Sequence, residues 1–288
     1  MKLATYKDGS RDGQLVLVAR DLATAHLAHG IASRMQQVLD DWNFLSPQLQ
    51  DLYEALNAGR TRHAFPFEPA SCMAPLPRAY QRVQAGPGLH QASSDNLLGP
   101  CEGITWPGEG LGLEVAPQVA VITGDVALGC SAEQALEGVR LVMLAHGVCL
   151  RQRIAHAQDP SDDPARFQPA AAFSPVAVTL DELGPAWQEG RVRLSLHSTR
   201  NGRKQETRDA AQGMQRHFGQ LIARLCSARP VRAGSIVGGG SLIAPLDPPE
   251  TAALQPGESV RTEMLGADGK SMFGAIDQRV TVPGSASG

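Results

Sequence analysis

Between Gln118 and Val126 the chain reads Gln-Val-Ala-Val-Ile-Thr-Gly-Asp-Val, a short apolar run that stops on Thr123-Gly124-Asp125. A run of this length, rich in β-branched residues and closed by turn chemistry, is consistent with a buried strand followed by a tight turn. Similar segments recur along the chain. Leu3 to Tyr6 and Gln14 to Ala19 read as strands, with the turn formers Asp8-Gly9 and Asp12-Gly13 between them. Val192 to His197 alternates apolar and polar, and Asn201-Gly202 just beyond it is a strong hairpin signal. Val260 to Met264 and Ser271 to Ile276 bracket Asp268-Gly269 as a final hairpin.

Helical signals are fewer. Apolar residues at 31, 35, 38, 39 and 42 predict a helix over Ile31 to Trp42. Ser46-Pro47 predicts the start of a second, which runs through Leu56 and stops at Asn57-Ala58-Gly59. Ser131-Ala-Glu-Gln134 is a capping box ahead of a helical stripe through Leu136, Val139, Arg140 and Met143, and Thr179-Leu-Asp-Glu182 is another that opens a short helix. Met214, Phe218, Leu221, Ile222 and Leu225 share one face of a helix that ends before Pro230. Many short strands with few helices predict a β-rich α+β fold. Residues 1–70 read as a small N-terminal α/β domain, residues 71–282 as the larger domain, and residues 283–288 as a flexible tail.

Charge narrows the function. A net charge of −3, with no basic stripe interleaved with aromatics, excludes nucleic acid as a partner. No stretch approaches the ~18–20 apolar residues of a bilayer span, and the first residues lack a signal-peptide core. The expectation is a cytoplasmic protein with no membrane partner. Cys72, Cys101, Cys130, Cys149 and Cys226 are scattered, with no C-x-x-C spacing, which fits reduced thiols better than a zinc knuckle or disulfide frame. There is no Gly-x-Ser-x-Gly elbow, and Gly238-Gly-Gly240 lacks the Gly-Lys-Ser/Thr of a phosphate loop.

Several blocks taken together carry a resemblance. They are Gln118 to Val126, Leu141-Val-Met-Leu-Ala-His-Gly-Val-Cys-Leu-Arg151, Phe173-Ser-Pro175, Arg232-Ala-Gly-Ser-Ile-Val-Gly238 and Phe273-Gly-Ala-Ile276. Through them the chain resembles the fumarylacetoacetate hydrolase family. The resemblance implies a mixed β-sandwich roll with a small N-terminal domain, and a homodimer. It also implies a divalent cation, usually Mg²⁺ or Ca²⁺, that holds a β-dicarbonyl or 2-oxo acid as its enolate through oxygen ligands. In the family a Glu-x-Glu pair just before the Val-Ala-Val strand, and a further acid before the arginine matched by Arg151, bind that ion. Here the matching positions read Ala116-Pro117-Gln118 and Gly147. The expectation is therefore a diverged member with no metal ligands and no cofactor.

Other departures fall in the same region. Glu114 lies two residues upstream, on the same face of a period-2 strand, but Pro117 and the matched Val-Ala-Val anchor argue against a slip that would recruit it. The Ser-Lys step that the family carries before its Phe-Ser-Pro block is missing where Phe167-Gln168 runs into Pro169. The loop that holds the family's general-base histidine is shortened to Arg82 to Gln91, with His90 its only titratable base. Ser241 matches a family threonine that contacts a carboxylate.

His146 is the candidate proton carrier and Gln118 the candidate oxyanion donor, with Arg151, Ser241 and His90 as candidate substrate contacts. The bland reading of His146 is a space-filling residue, that of Arg151 the partner of a nearby carboxylate, and that of His90 a solvent-facing loop residue. The leading expectation is a protein that binds a small oxo acid, β-dicarbonyl or polyketide-like acid. It would promote proton transfer, decarboxylation, isomerisation or cyclisation without a metal. A non-catalytic pseudoenzyme or partner subunit stands beside it, as does a C–C bond hydrolase with unconventional metal ligands. The first two separate on whether His146, Gln118 and Ser241 line one cavity.

Overall fold

The structure is a computed structural model that describes residues 1–86, 88–152, 167–242 and 253–283. In chain order its strands open with β1 (Lys2–Tyr6), β2 (Gln14–Val18), β3 (Thr24–Leu27), β4 (Phe65–Pro66), β5 (Gln81–Ala85) and β6 (Leu89–Ala92). Next come β7 (Leu97–Leu98), β8 (Ile104–Thr105), β9 (Leu113–Thr123), β10 (Val139–Leu150), β11 (Ala170–Phe173) and β12 (Ala177–Val178). A small hairpin of β13 (Trp187–Gln188) and β14 (Arg191–Val192) leads to β15 (Ser195–Arg200), β16 (Arg203–Asp209), β17 (Ser235–Gly238), β18 (Ser259–Leu265) and β19 (Ile276–Thr281). The longer helices are α1 (Met35–Asp40), α2 (Trp42–Asn57), α3 (Ala132–Glu137) and, preceding β17, α4 (Phe218–Leu225).

Among the described residues the larger sheet runs β4-β3-β2-β1-β12-β10-β9-β17-β5-β6, with β11 on β10 and β7 on β11. The smaller runs β16-β15-β18-β19-β8. The N-terminal segment adds its strands to the larger sheet, since Lys2 and Leu3 of β1 pair with Val178 and Ala177 of β12. At the centre β9 and β10 pair antiparallel, in regular register from Ile122↔Leu141 to Leu113↔Leu150. Opposed residues share a face and the next pair takes the other face. Ala120, Ile122, Leu141, Met143 and Ala145 turn to the side where α1 and α2 bring Met35, Val38, Leu39, Leu49 and Tyr53. Val119, Val121, Val142 and Leu144 turn the other way, onto Leu196, Met264 and Ile276 of the smaller sheet. This is the β-rich α+β fold, with α1 and α2 on one face of the large sheet and the small sheet, together with α3 and α4, on the other.

Some boundaries differ from the sequence expectation. The first helix begins at Met35, and α2 already starts at Trp42, so Pro47 lies inside it; the chain turns between them at Asp41 (φ −126°, ψ 46°). The stripe through Val139, Arg140 and Met143 is not helical. Its helix, α3, keeps the Ser131/Gln134 capping box but ends at Glu137, and Val139 onward is β10, buried on both faces as a central strand requires. The strand after Asp268-Gly269 begins at Ile276, and Ser271 contributes only a bridge to Leu265. The Thr179 side chain makes no capping bond. Asn201 and Gly202 do form the expected hairpin turn, both with positive φ (51° and 73°). Of the expected tail, residues 284–288 lie outside the described residues.

His146 belongs to this core. It opposes Pro117 and therefore shares the face of Val142 and Leu144, between the two sheets. Its Nδ1 lies 3.2 Å from Gln278 Oε1 on β19. The Gln278 Nε2 donates to the Glu102 carbonyl at 2.8 Å, which fixes that carboxamide and makes His146 Nδ1 the donor. Complete burial holds the His146 pKa down from 6.5 to about 4. The unfolded ring therefore takes up a proton before the folded one does. This contribution to stability is full above pH 6.5 and is lost as pH falls towards 4, by up to about 3 kcal/mol. Urea unfolding measured across that interval should show a slope of about one proton, and His146→Gln should flatten it. An equal slope in both proteins would mean that His146 is not held neutral.

Candidate functional site

Beyond Ala120 and Ala145 the helix-facing side of β9 and β10 turns polar. Three successive pairs face this way: Gln118 with Ala145, Ala116 with Gly147, and Glu114 with Cys149. Next to them β17 brings Gly238, opposite Ala120. Beyond it β5 brings Arg82 and Gln84, opposite Ile236 and Gly238, and β6 brings His90, opposite Gln84. The segment from Arg82 to Gln91, expected as a shortened loop, is largely this β5–β6 hairpin.

The three positions that the family resemblance assigns to metal-binding acids thus converge on one patch, and they carry a methyl group, a carboxamide and no side chain. Gln118 is 2% exposed. A β-carbon at Gly238 would stand 2.5 Å from its Oε1, so only glycine there leaves the carboxamide its place. At Gly147 a β-carbon would stand 3.2 Å from Gln118 Nε2 and 3.4 Å from Gln84 Nε2. Gln84 Oε1 accepts from Arg82 Nη1 at 3.1 Å, which turns its amide nitrogen towards Gly147. The space beside this glycine is therefore edged by N–H donors. Hard divalent cations need several oxygen ligands, mostly anionic, and this donor set does not fit one. Among the described residues no group of three or more His, Cys, Asp or Glu is placed to hold a metal.

Arg82 and Gln84 escaped the sequence reading, although Gln81-Arg-Val-Gln84 alternates like a half-polar strand. The Arg82 Nε donates to the Ser93 carbonyl at 2.6 Å. Its guanidinium is buried, and that burial lowers its pKa to about 10. His90 is half-buried; its Nε2 lies 3.1 Å from Gln168 Nε2. Burial, reinforced by the Arg82 charge, holds its pKa below the usual histidine range, against the opposing effect of its hydrogen bond with Gln168. At neutral pH it is an uncharged imidazole.

The remaining sequence candidates lie at different distances from this patch. His146 is one residue from Gly147 but on the opposite face of β10, so the structure does not bring it to Gln118. Ser241 is exposed, beyond the end of β17; the adjacent Leu242 N–H donates to the Pro117 carbonyl, which sets the segment beside β9. Arg151 is engaged by Glu114, whose Oε2 accepts from Nε at 2.9 Å and from Nη2 at 2.8 Å. Glu114 is 8% exposed, so removing its partner leaves a nearly buried carboxylate uncompensated. Arg151→Met should destabilise the protein by about 2–3 kcal/mol. Adding Glu114→Leu should recover part of that loss in a double-mutant cycle. Additive losses would show the pair to be uncoupled.

Two family models match the chain. The fumarylacetoacetase N-terminal domain 2 model covers residues 1–78, and the fumarylacetoacetate (FAA) hydrolase C-terminal model covers residues 70–281. No curated protein matches. Among solved structures, the chain is similar to a probable 2-hydroxyhepta-2,4-diene-1,7-dioate isomerase from Mycobacterium abscessus (18% identity, TM-score 0.76, 98% of this chain and 99% of that one). It is also similar to the maleylpyruvate hydrolase of Sphingobium sp. SYK-6 (16% identity, TM-score 0.71, 98% and 100%), which has been solved in complex with manganese(II) ion and pyruvate. A third is the fumarylacetoacetate hydrolase of Exiguobacterium antarcticum (18% identity, TM-score 0.71, 98% and 99%). At such identities these structures establish the shared fold, and the two family models, meeting between the N-terminal segment and the main domain, place the chain in the fumarylacetoacetate hydrolase family.

Proposed function

We propose that this protein binds a small oxo acid or β-dicarbonyl acid at the Gln118 patch and promotes proton transfer on it without a resident divalent cation. The observation that carries this reading is the pair of carboxamide nitrogens, from Gln118 and Gln84, at the bare Gly147 position. N–H donors there can hold the oxygen of an enolate, which is the role a Lewis-acidic cation would otherwise have. Removing one such donor in other enzymes costs roughly 2.7–4 kcal/mol of transition-state stabilisation, so neutral donors are strong enough to matter.

His90 takes the place of His146 as proton carrier. Once the ligand displaces Gln168 from Nε2, its neutral ring accepts there a proton from the carbon next to the ligand carbonyl, the C–H electron pair passes into the enolate, and the proton is returned to carbon or oxygen. Isomerisation, decarboxylation and cyclisation of such acids share that enolate. The small acids named for the family's solved members support this substrate class. Ser241 is retained as a rim contact and Arg151 as the partner of Glu114. The homodimer implied by the family resemblance belongs to the same proposal. The non-catalytic reading differs in predicting binding without turnover.

One experiment separates these readings. EDTA-treated protein is examined with pyruvate for a thermal shift and for exchange of the pyruvate methyl protons with D₂O by NMR, with Mg²⁺ and Mn²⁺ added in parallel. A metal-independent shift with exchange that drops about 10²–10⁴-fold in His90→Ala is the expected result. A shift with no exchange favours the non-catalytic reading. Dependence of both on Mg²⁺ or Mn²⁺ would return the conventional family chemistry and sink the proposal.

A further inference from the structure

The charge balance of the same patch supports one step more, which rests on the small-acid reading above. Arg82 is 2% exposed. Two of its N–H groups are used, by the Ser93 carbonyl through Nε and by Gln84 Oε1 through Nη1. Its Nη2 is buried with no partner among the described residues. Among the described residues no carboxylate is paired with it, and burial lowers its pKa. Guanidinium stays protonated under ordinary conditions all the same. An interior cation with no counter-ion is strongly unfavourable, and its unpartnered Nη2 is placed to donate a charge-assisted hydrogen bond to a carboxylate. The other arginine of the region, Arg151, is already held by Glu114.

We propose that Arg82 is the carboxylate anchor of this site. The ligand carboxylate accepts from the unpartnered Nη2, and the ligand carbonyl then falls to the amide nitrogens of Gln84 and Gln118 beside Gly147. The fixed positive charge of the site is thus a side chain of β5, and the ligand must bring a full negative charge.

Calorimetric titration of the full-length protein in EDTA, with pyruvate as probe and methyl pyruvate as its uncharged counterpart, tests this. Wild type should bind pyruvate about 30-fold or more tightly than methyl pyruvate. Arg82→Met should lose that preference and bind the two alike, while its methyl pyruvate affinity holds, a pattern that a merely structural role would not produce. Arg82→Lys keeps the charge without the fork and should retain part of the preference; it serves as the variant should the methionine protein fail to fold. Equal pyruvate affinity in wild type and both variants overturns the anchor and leaves the small-acid reading standing. A wild type that binds neither probe removes both. Binding that EDTA abolishes also overturns the anchor, because the charge would then belong to a metal.

Discussion

The β9–β10 ladder is the constraint on which the rest of the molecule depends. It is long and buried on both faces, and it separates α1 and α2 from the smaller sheet, α3 and α4. Its register decides which layer every side chain joins, because a slip of one residue would exchange the two faces throughout. Pro117 fits into this ladder without breaking it. Its carbonyl accepts from Leu242 on the side away from β10, so the missing N–H falls on that side as well. The glycines around Gln118 are set by the same packing. Gly238 comes level with Ala120 on β17, and any side chain there would meet the Gln118 carboxamide.

That register also explains what could and could not be read from the sequence. Short apolar runs, Asn201-Gly202 and the Ser131 capping box act locally, and they gave the β-rich architecture and the hairpin. Val139 to Leu150 is ambiguous in one dimension, because an apolar run buried on both faces satisfies a helical period as readily as a strand. Only the sheet on either side resolves it. The His146 expectation failed to converge with Gln118 for a related reason. Neighbours in a strand point to opposite faces, so adjacency to Gly147 in sequence means separation from it in space. Arg82 and Gln84 were hidden by the opposite error, a strand pair taken for a loop, and polar residues in a loop carry no expectation of burial.

Electrostatically, the patch is inverted relative to a cation site. A divalent ion is held by converging anions, whereas the groups that converge here are two carboxamide nitrogens and a guanidinium. On the proposed function, the absence of acids at positions 116, 118 and 147 and the presence of Arg82 belong together. A carboxylate at position 116, 118 or 147 would offer the buried guanidinium an internal counter-ion, whereas the one carboxylate placed on this face among the described residues, Glu114, is taken by Arg151. With alanine, glutamine and glycine in those places, the demand for a negative charge passes to whatever enters the site.

Such an arrangement places a condition on the unliganded protein. Gln118 Oε1 and Arg82 Nη2 are both buried without partners among the described residues, and each unmet group of this kind costs about 1–3 kcal/mol, more where it is charged. Two such groups within one patch are a large fraction of the net stability of a folded domain, about 5–15 kcal/mol. A side chain kept only for packing would be better replaced by an apolar one of similar volume. In the proposed complex the guanidinium repays its desolvation when an anion reaches it, and that anion would also lie where the neutral donors can share its developing charge. On the proposed function, binding and chemistry at this site would draw on the same unmet polarity, in a low-dielectric setting where each added hydrogen bond is stronger than it would be in water.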